Sequence, residues 1–191
     1  MASCSSRAGA LALAGALALL GTPAEAKVFL SQREAIELAF PDADRIETDT
    51  RVLSREQVEA VERSARSKLD SRIAKFYAAW QGDRVTGYAF IDVHTVRSLP
   101  EAFMIVLEPD GTTRSVRVLA FHEPLDYLPT ERWYKQFEDR SLADPLRLGR
   151  DIHGIAGATL SARAVASSVR RVLALFRVVV KGELPVAGDG G

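Results

Sequence analysis

Cysteine is nearly missing from this chain of 191 residues: the only one is Cys4. Residues 1–26 (MASCSSRAGALALAGALALLGTPAEA) have the form of a secretory signal peptide, with one cation at Arg7, an apolar stretch over 8–20, and Ala24-Glu25-Ala26 in small-x-small order. The stretch is short for a spanning helix, which needs about 20 apolar residues, and no basic cluster follows it. Cys4 lies ahead of the apolar stretch, the wrong side for a lipid-attachment site. Cleavage before Lys27 leaves 27–191 without cysteine, which excludes disulfides, iron–sulfur clusters and CxxCH haem attachment. The expected location is periplasmic or otherwise extracytoplasmic, in soluble form.

Net charge is also lacking. The chain carries 25 basic and 25 acidic residues, and removing Arg7 and Glu25 leaves 24 of each, so charge gives no case for nucleic acid or an anionic membrane as partner. The three histidines, His94, His122 and His153, are far apart in sequence and form no local ligand pair, so no metal site is expected. Internal repeats, a P-loop, GxGxxG and HExxH are all missing. What remains, 165 residues from 27 to 191, suits one domain with its own core.

The pattern along the chain is helical, then strand-like, then helical. Ser31-Gln-Arg-Glu34 has capping-box form and predicts a short helix through Phe40, stopped by Pro41. Ser54-Arg-Glu-Gln57 repeats the device, and Val58, Val61, Ala65, Leu69, Ile73, Phe76 and Trp80 follow at steps of three or four, which predicts one long amphipathic helix reaching residue 80. Segments 85–92 (VTGYAFID), 102–108 (AFMIVLE) and 114–121 (RSVRVLAF) predict an antiparallel meander, with a tight turn at Pro109-Asp-Gly111. In the last of these, Val116, Val118 and Ala120 share one face, and Arg117, Leu119 and Phe121 the other. A short helix is expected over 130–138, presenting Trp133 and Phe137. A longer one over 159–181 turns Val165, Val169, Val172, Leu173 and Phe176 inward, with Gly182 and Pro185 ending it. This order predicts a single α+β domain, an antiparallel sheet flanked by helices, and not a doubly wound parallel sheet. Its expected parts are a signal peptide (1–26), a helical region (27–80) packing on the domain, a main domain (81–182) and a flexible tail (183–191).

One stretch carries the functional argument: His153-Gly-Ile-Ala-Gly-Ala-Thr-Leu-Ser-Ala-Arg163 (HGIAGATLSAR). Gly157-Ala158-Thr159 stands where a helix begins. The first amides of a helix are unpaired, its dipole adds positive charge there, and Gly157 and Ala158 have too little side chain to block a phosphate. Read from the residues alone, Thr159 or Ser161 serves equally as an ordinary N-cap.

The stretch 80–176 resembles the FMN-binding domain of small extracytoplasmic flavoproteins, such as the covalent-FMN subunits of Rnf and sodium-pumping NADH:quinone oxidoreductase complexes. The likeness lies in the order GYAFID, PDG, VRVLAFHEP, WYKQFEDRSLADPL and GIAGATLSARAV, and covers about half the chain. In that family the motif is Asp-x-x-(Ser/Thr)-Gly-Ala-Thr, and a dedicated flavin transferase esterifies the final threonine with the phosphate of FMN. The resemblance implies Thr159 as that threonine. This sequence departs from the motif at His153, where the family has Asp, and at Ala156, where it has Ser or Thr. Asp151 lies two residues too early to take the acidic role.

For the flavin ring, the resemblance places the acidic residue of the neighbouring loop at Glu123. Tyr127 and Trp133 are candidates to stack on the ring or to fill the core. His122 is a candidate donor to the flavin or a surface histidine. Leu160 and Ile155 flank the anchor. The implied function is an extracytoplasmic electron carrier serving membrane or periplasmic redox proteins, and no acid/base or nucleophilic constellation for an organic substrate is apparent. The runner-up reading is a cofactor-free secreted binding module on the same fold, and a third is a flavin reductase acting on a soluble acceptor.

Overall fold

The computed structural model of the protein describes residues 27–96 and 99–184. The expected signal peptide and positions 185–191 of the expected tail lie outside the described residues. Six strands, β1 (Lys27–Val28), β2 (Arg45–Val52), β3 (Ile73–Gln81), β4 (Arg84–Val96), β5 (Leu99–Leu107) and β6 (Thr113–Phe121), form one sheet in the order β1-β6-β5-β4-β3-β2. Every pairing is antiparallel. With helices α1 (Gln32–Ala39), α2 (Arg55–Ala65), α3 (Glu131–Tyr134) and α4 (Thr159–Leu175), the chain is a single α+β domain.

Both capping boxes form as their sequences require. The Glu34 amide donates to Ser31 Oγ (3.3 Å) and the Ser31 amide to Glu34 Oε2 (2.9 Å). At α2 the Gln57 amide donates to Ser54 Oγ (3.1 Å) and the Ser54 amide to Gln57 Oε1 (2.9 Å). Each reciprocal pair satisfies two amides that the helix itself cannot.

The long helix expected to reach residue 80 is the main correction. The helical stripe holds through Val58, Val61 and Ala65, and then Arg66 turns left-handed at φ 53° and ends α2. Residues from Ile73 onward are strand β3, hydrogen-bonded between β2 and β4. The reason lies in its surroundings: Ala74 and Phe76 are buried against one helical layer, and Tyr77 and Ala79 against the other. A strand covered on both faces has no polar alternation, so Phe76 and Trp80 fell into apparent helical spacing. Strand β2 (RIETDTRV), at the sheet edge and almost wholly exposed, carries no apolar alternation because its composition is polar.

The sheet has a helical layer on each face. On one, α2, α3 and α4 cover Phe76, Phe90, Phe103, Ile105 and Leu107; on the other, Ala35, Ile36 and Phe40 from α1 and its C-cap cover Tyr77, Ala89, Met104, Val106 and Leu119. The inward residues expected of the last helix, Val165, Val169, Val172, Leu173 and Phe176, are all buried. Past Leu175 that helix widens into a π turn (Phe176–Val180).

The Pro109-Asp-Gly111 turn is closed by the Gly111 amide donating to Glu108 O (3.0 Å), with Asp110 Oδ1 accepting from the Thr112 amide (2.8 Å). Gly111 has φ 98°, and a Cβ there would collide with Phe176 Cε1. The Phe176 ring itself meets Tyr88 edge-on at 5.2 Å, so it cannot retreat freely. Gly111→Ala is expected to destabilise the fold by about 3 kcal/mol, combining backbone strain and overpacking of about 1–3 kcal/mol each. Urea unfolding measures this, and an unchanged midpoint would contradict the close approach.

Candidate functional site

The segment between α3 and α4 is held at three places before it reaches Gly157. Leu146 and Ile152 are buried plugs, Leu146 in the left-handed region at φ 47°. Between them the chain forms a compact turn in which the amides of Arg150, Asp151 and Ile152 all donate to Arg147 O, and the Arg147 amide donates to Asp151 Oδ1 (2.8 Å). Asp151 is thereby committed to the turn. Then α3 and the short 3-10 turn after it (Lys135–Phe137) grip His153 by its backbone: Trp133 Nε1 donates to His153 O (2.7 Å), and the His153 amide donates to Gln136 Oε1 (2.6 Å). The side chain of His153 is exposed.

Beyond this grip the chain opens. Ala156 and Gly157 are exposed, Gly157 has φ 82°, and nothing stands within 4 Å of where its Cβ would be. Ala158, the N-cap of α4, is buried and offers no side-chain acceptor. The first helical hydrogen bond at this end is donated by Ala162 to Ala158 O (3.0 Å), so the amides of Thr159, Leu160 and Ser161 precede the ladder. Thr159 is exposed, and Leu160 is 45% exposed beside it. Ser161, the alternative hydroxyl, is 3% exposed and turned toward the core. Two residues of helix, a rotation of about 200°, separate an accessible hydroxyl from a buried one.

The ring candidates divide into two groups. Trp133, buried and set edge-on to Tyr134 and Phe137, supports the approach to the Gly-Ala-Thr segment from beneath, and Ile155 packs against the same core. His122, Glu123 and Tyr127 lie after β6: Glu123 is 9% exposed, Tyr127 closes a single 3-10 turn (Leu125–Tyr127), and both are half-buried or more.

A second constellation lies on the sheet beneath α4. Asp92 and His94 on β4 and Glu101 on β5 occupy the otherwise apolar face that α4 covers, His94 and Glu101 being register partners. Arg171 of α4 reaches down to Asp92 with two nitrogens, Nε to Oδ1 (3.1 Å) and Nη2 to Oδ2 (2.5 Å). Ser168 Oγ donates to Asp92 Oδ2 (2.7 Å), and His94 Nδ1 lies 3.1 Å from the same oxygen. Burial works to raise the pKa of Asp92, but the hydrogen bonds from His94, Arg171 and Ser168 outweigh it and hold the carboxyl well below its usual range.

Glu101 has the opposite fate. It is fully buried, neither carboxyl oxygen has a hydrogen-bond partner among the described residues, and His94 Nε2 lies 4.0 Å from Oε2. Burial raises its pKa to about 7, with His94 opposing and Glu123 adding to the rise. The Tyr134 hydroxyl, also without a partner there, is pushed above the ordinary phenol range by burial and by Glu101. The signal available in the sequence was charge on buried faces: Asp92 and His94 continue the alternation of Tyr88 and Phe90, and Arg171 adjoins the apolar stripe of α4.

No family model matches this chain, and no curated protein matches it in sequence. Among solved structures, the crystal structure of Shewanella oneidensis NqrC is similar, with a TM-score of 0.48 and 13% identity, covering 73% of this chain and 82% of that one. Likeness at this level carries no inference about the chemistry of the present chain.

The two carboxyls make opposite contributions to stability. Glu101, with its folded pKa raised from 4.5 to about 7, adds stability that is complete below about pH 4.5 and is lost as pH rises through about 7, up to about 3 kcal/mol. Asp92 adds stability above its unfolded value that is lost as acid reaches its lowered folded value. Glu101→Gln is therefore expected to gain stability relative to wild type between about pH 5 and 8. Denaturant unfolding across that window checks it, and parallel pH profiles would show that Glu101 is solvated or paired.

Proposed function

We propose that this chain is an extracytoplasmic electron carrier whose FMN is esterified through its phosphate to Thr159. The observation that carries the proposal is the exposed Thr159 hydroxyl at an open helix start, with Ser161 buried, within a Gly-Ala-Thr sequence resembling the flavin-attachment motif. The residues present fit a phosphodiester. Three amides precede the helical ladder, no side chain caps them, and space over Gly157 is open. FMN, when bound, supplies the redox chemistry.

The chain's own residues supply position. Trp133 and Gln136 fix the loop through the His153 backbone, which limits how far an attached group can wander. Leu160 and Ile155 offer apolar surface on either side of the anchor. A tether also suits a secreted protein, since a dissociable flavin would be diluted away, whereas attachment keeps its local concentration fixed. Maturation then needs a flavin transferase, and the partners are membrane or periplasmic redox proteins.

A second reading, a cofactor-free binding module, draws on His153 and Ala156. Both are exposed, and neither offers the carboxylate or hydroxyl that the resembling motif carries there.

Coexpression with a flavin transferase is expected to add the mass of FMN less water to the peptide containing Thr159. Thr159→Val keeps the branched shape and removes the acceptor oxygen, so it should stay unmodified and folded. His153→Asp with Ala156→Ser should raise the loaded fraction. If even that repaired protein remains colourless and does not bind added FMN, the flavin reading fails and the binding module replaces it.

A further inference from the structure

The chain has no net charge, yet its cations are not evenly spread. A cleft of about 390 Å³ runs between the end of α2, the 145–148 segment and α4, and four guanidinium groups line it: Arg66, Arg147, Arg163 and Arg170. None of the four forms a salt bridge among the described residues. Arg170 is held in place by backbone carbonyls only, donating to Ser64 O, Ala65 O, Asp144 O and Pro145 O. Burial, then the neighbouring charges of Arg66 and Arg147, lower its pKa, with Asp151 opposing. Like charges gathered with no salt-bridged carboxylate cost stability, so a site that keeps them together is suited to an anion supplied from outside.

The shape narrows the kind of anion. Leu146, Leu148 and Ala166 give the cleft apolar walls beneath its charged rim. Across Arg163 and Ser167 it adjoins a second cleft of about 630 Å³, to which Lys68 and Arg171 contribute. In that second cleft Lys68 is already paired with Glu62 and Arg171 with Asp92. Arg163, Ala166 and Arg170 follow one another at helical steps of three or four, so the strip runs about 10 Å along one face of α4. An elongated surface with separated cations over apolar walls matches an extended acidic segment of about three residues better than one compact phosphate.

We propose that this strip is a docking surface for an acidic, partly apolar polypeptide segment of a partner protein. It begins one helical turn from Thr159, and it does not depend on the flavin reading, because binding is measured on the chain without flavin.

The probe is a short fluorescein-labelled peptide of glutamate interrupted by leucine, titrated into the flavin-free protein and followed by fluorescence anisotropy. Saturable binding is expected at about 20 mM NaCl, weakened at least about tenfold at 200 mM. Arg66→Gln with Arg163→Gln should weaken it about tenfold, since both side chains are exposed and their loss leaves the core intact. Arg84→Gln with Arg117→Gln, elsewhere on the sheet, should leave it unchanged. Absence of binding at low salt, or equal loss in both double variants, would overturn the proposal. So would full displacement of the peptide by one equivalent of pyrophosphate, which would assign the strip to a small phosphorylated ligand.

Discussion

The position of α4 depends on the pair between Arg171 and Asp92. Three parts of the chain meet at that guanidinium: β4 supplies Asp92, α4 supplies Arg171 with Ser167 and Ser168, and the chain leaving α2 supplies Ser67, whose Oγ accepts from Arg171 Nη1 (2.9 Å). Taking both charges out of water is costly, and a buried pair of this kind adds little net stability. Removing one partner costs about 3–5 kcal/mol, because the other charge is left stranded. The value of the pair is therefore geometric. A planar fork on a carboxylate tolerates little rotation or slip, so it sets the register of α4 on the sheet, and with it the place where Thr159 emerges.

The same sheet face then shows how two carboxyls on neighbouring strands are driven apart. Asp92 collects donors from a helix and from its own strand, whereas Glu101, paired in register with His94, collects none. The apolar part of the face, formed by Phe90, Phe103 and Ile105, gives way at this end to a polar cluster closed over by α3 and the chain after β6. Buried polar groups are stabilising only when satisfied, so this end is the less secure part of the core. Glu123, which the family resemblance places beside a flavin ring, acts electrostatically on this cluster.

A division of labour follows. The core face of α4 is fixed by apolar packing and by the Arg171–Asp92 pair, its first turn is open, and its remaining face carries the arginine-lined strip. The proposed carrier function needs these three properties together: a rigid mount, an accessible hydroxyl, and the proposed docking surface near it. The approach loop contributes rigidity through backbone contacts to Trp133 and Gln136, which leaves the side chains of His153 and Ala156 free to differ from the resembling motif without loosening the loop.

Much of this was determined by local sequence. The capping boxes at Ser31 and Ser54, the Pro-Asp-Gly turn, strands β4 to β6 and the inward stripe of α4 are each written within a few residues, because capping, turn geometry and amphipathic period are short-range effects. The helix start at Gly157-Ala158-Thr159 was legible for the same reason. Tertiary structure decided the rest. Strand β3 is covered on both faces, which erased its alternation, and β2 is an exposed edge that looks like a loop. The accessibility of Thr159 against the burial of Ser161 depends on how α4 is rotated on the sheet. The Asp92–Arg171 pair, the isolation of Glu101 and the gathering of Arg66, Arg147, Arg163 and Arg170 join residues far apart in the chain. Strand register and helix docking bring them together, and no local pattern encodes those distances.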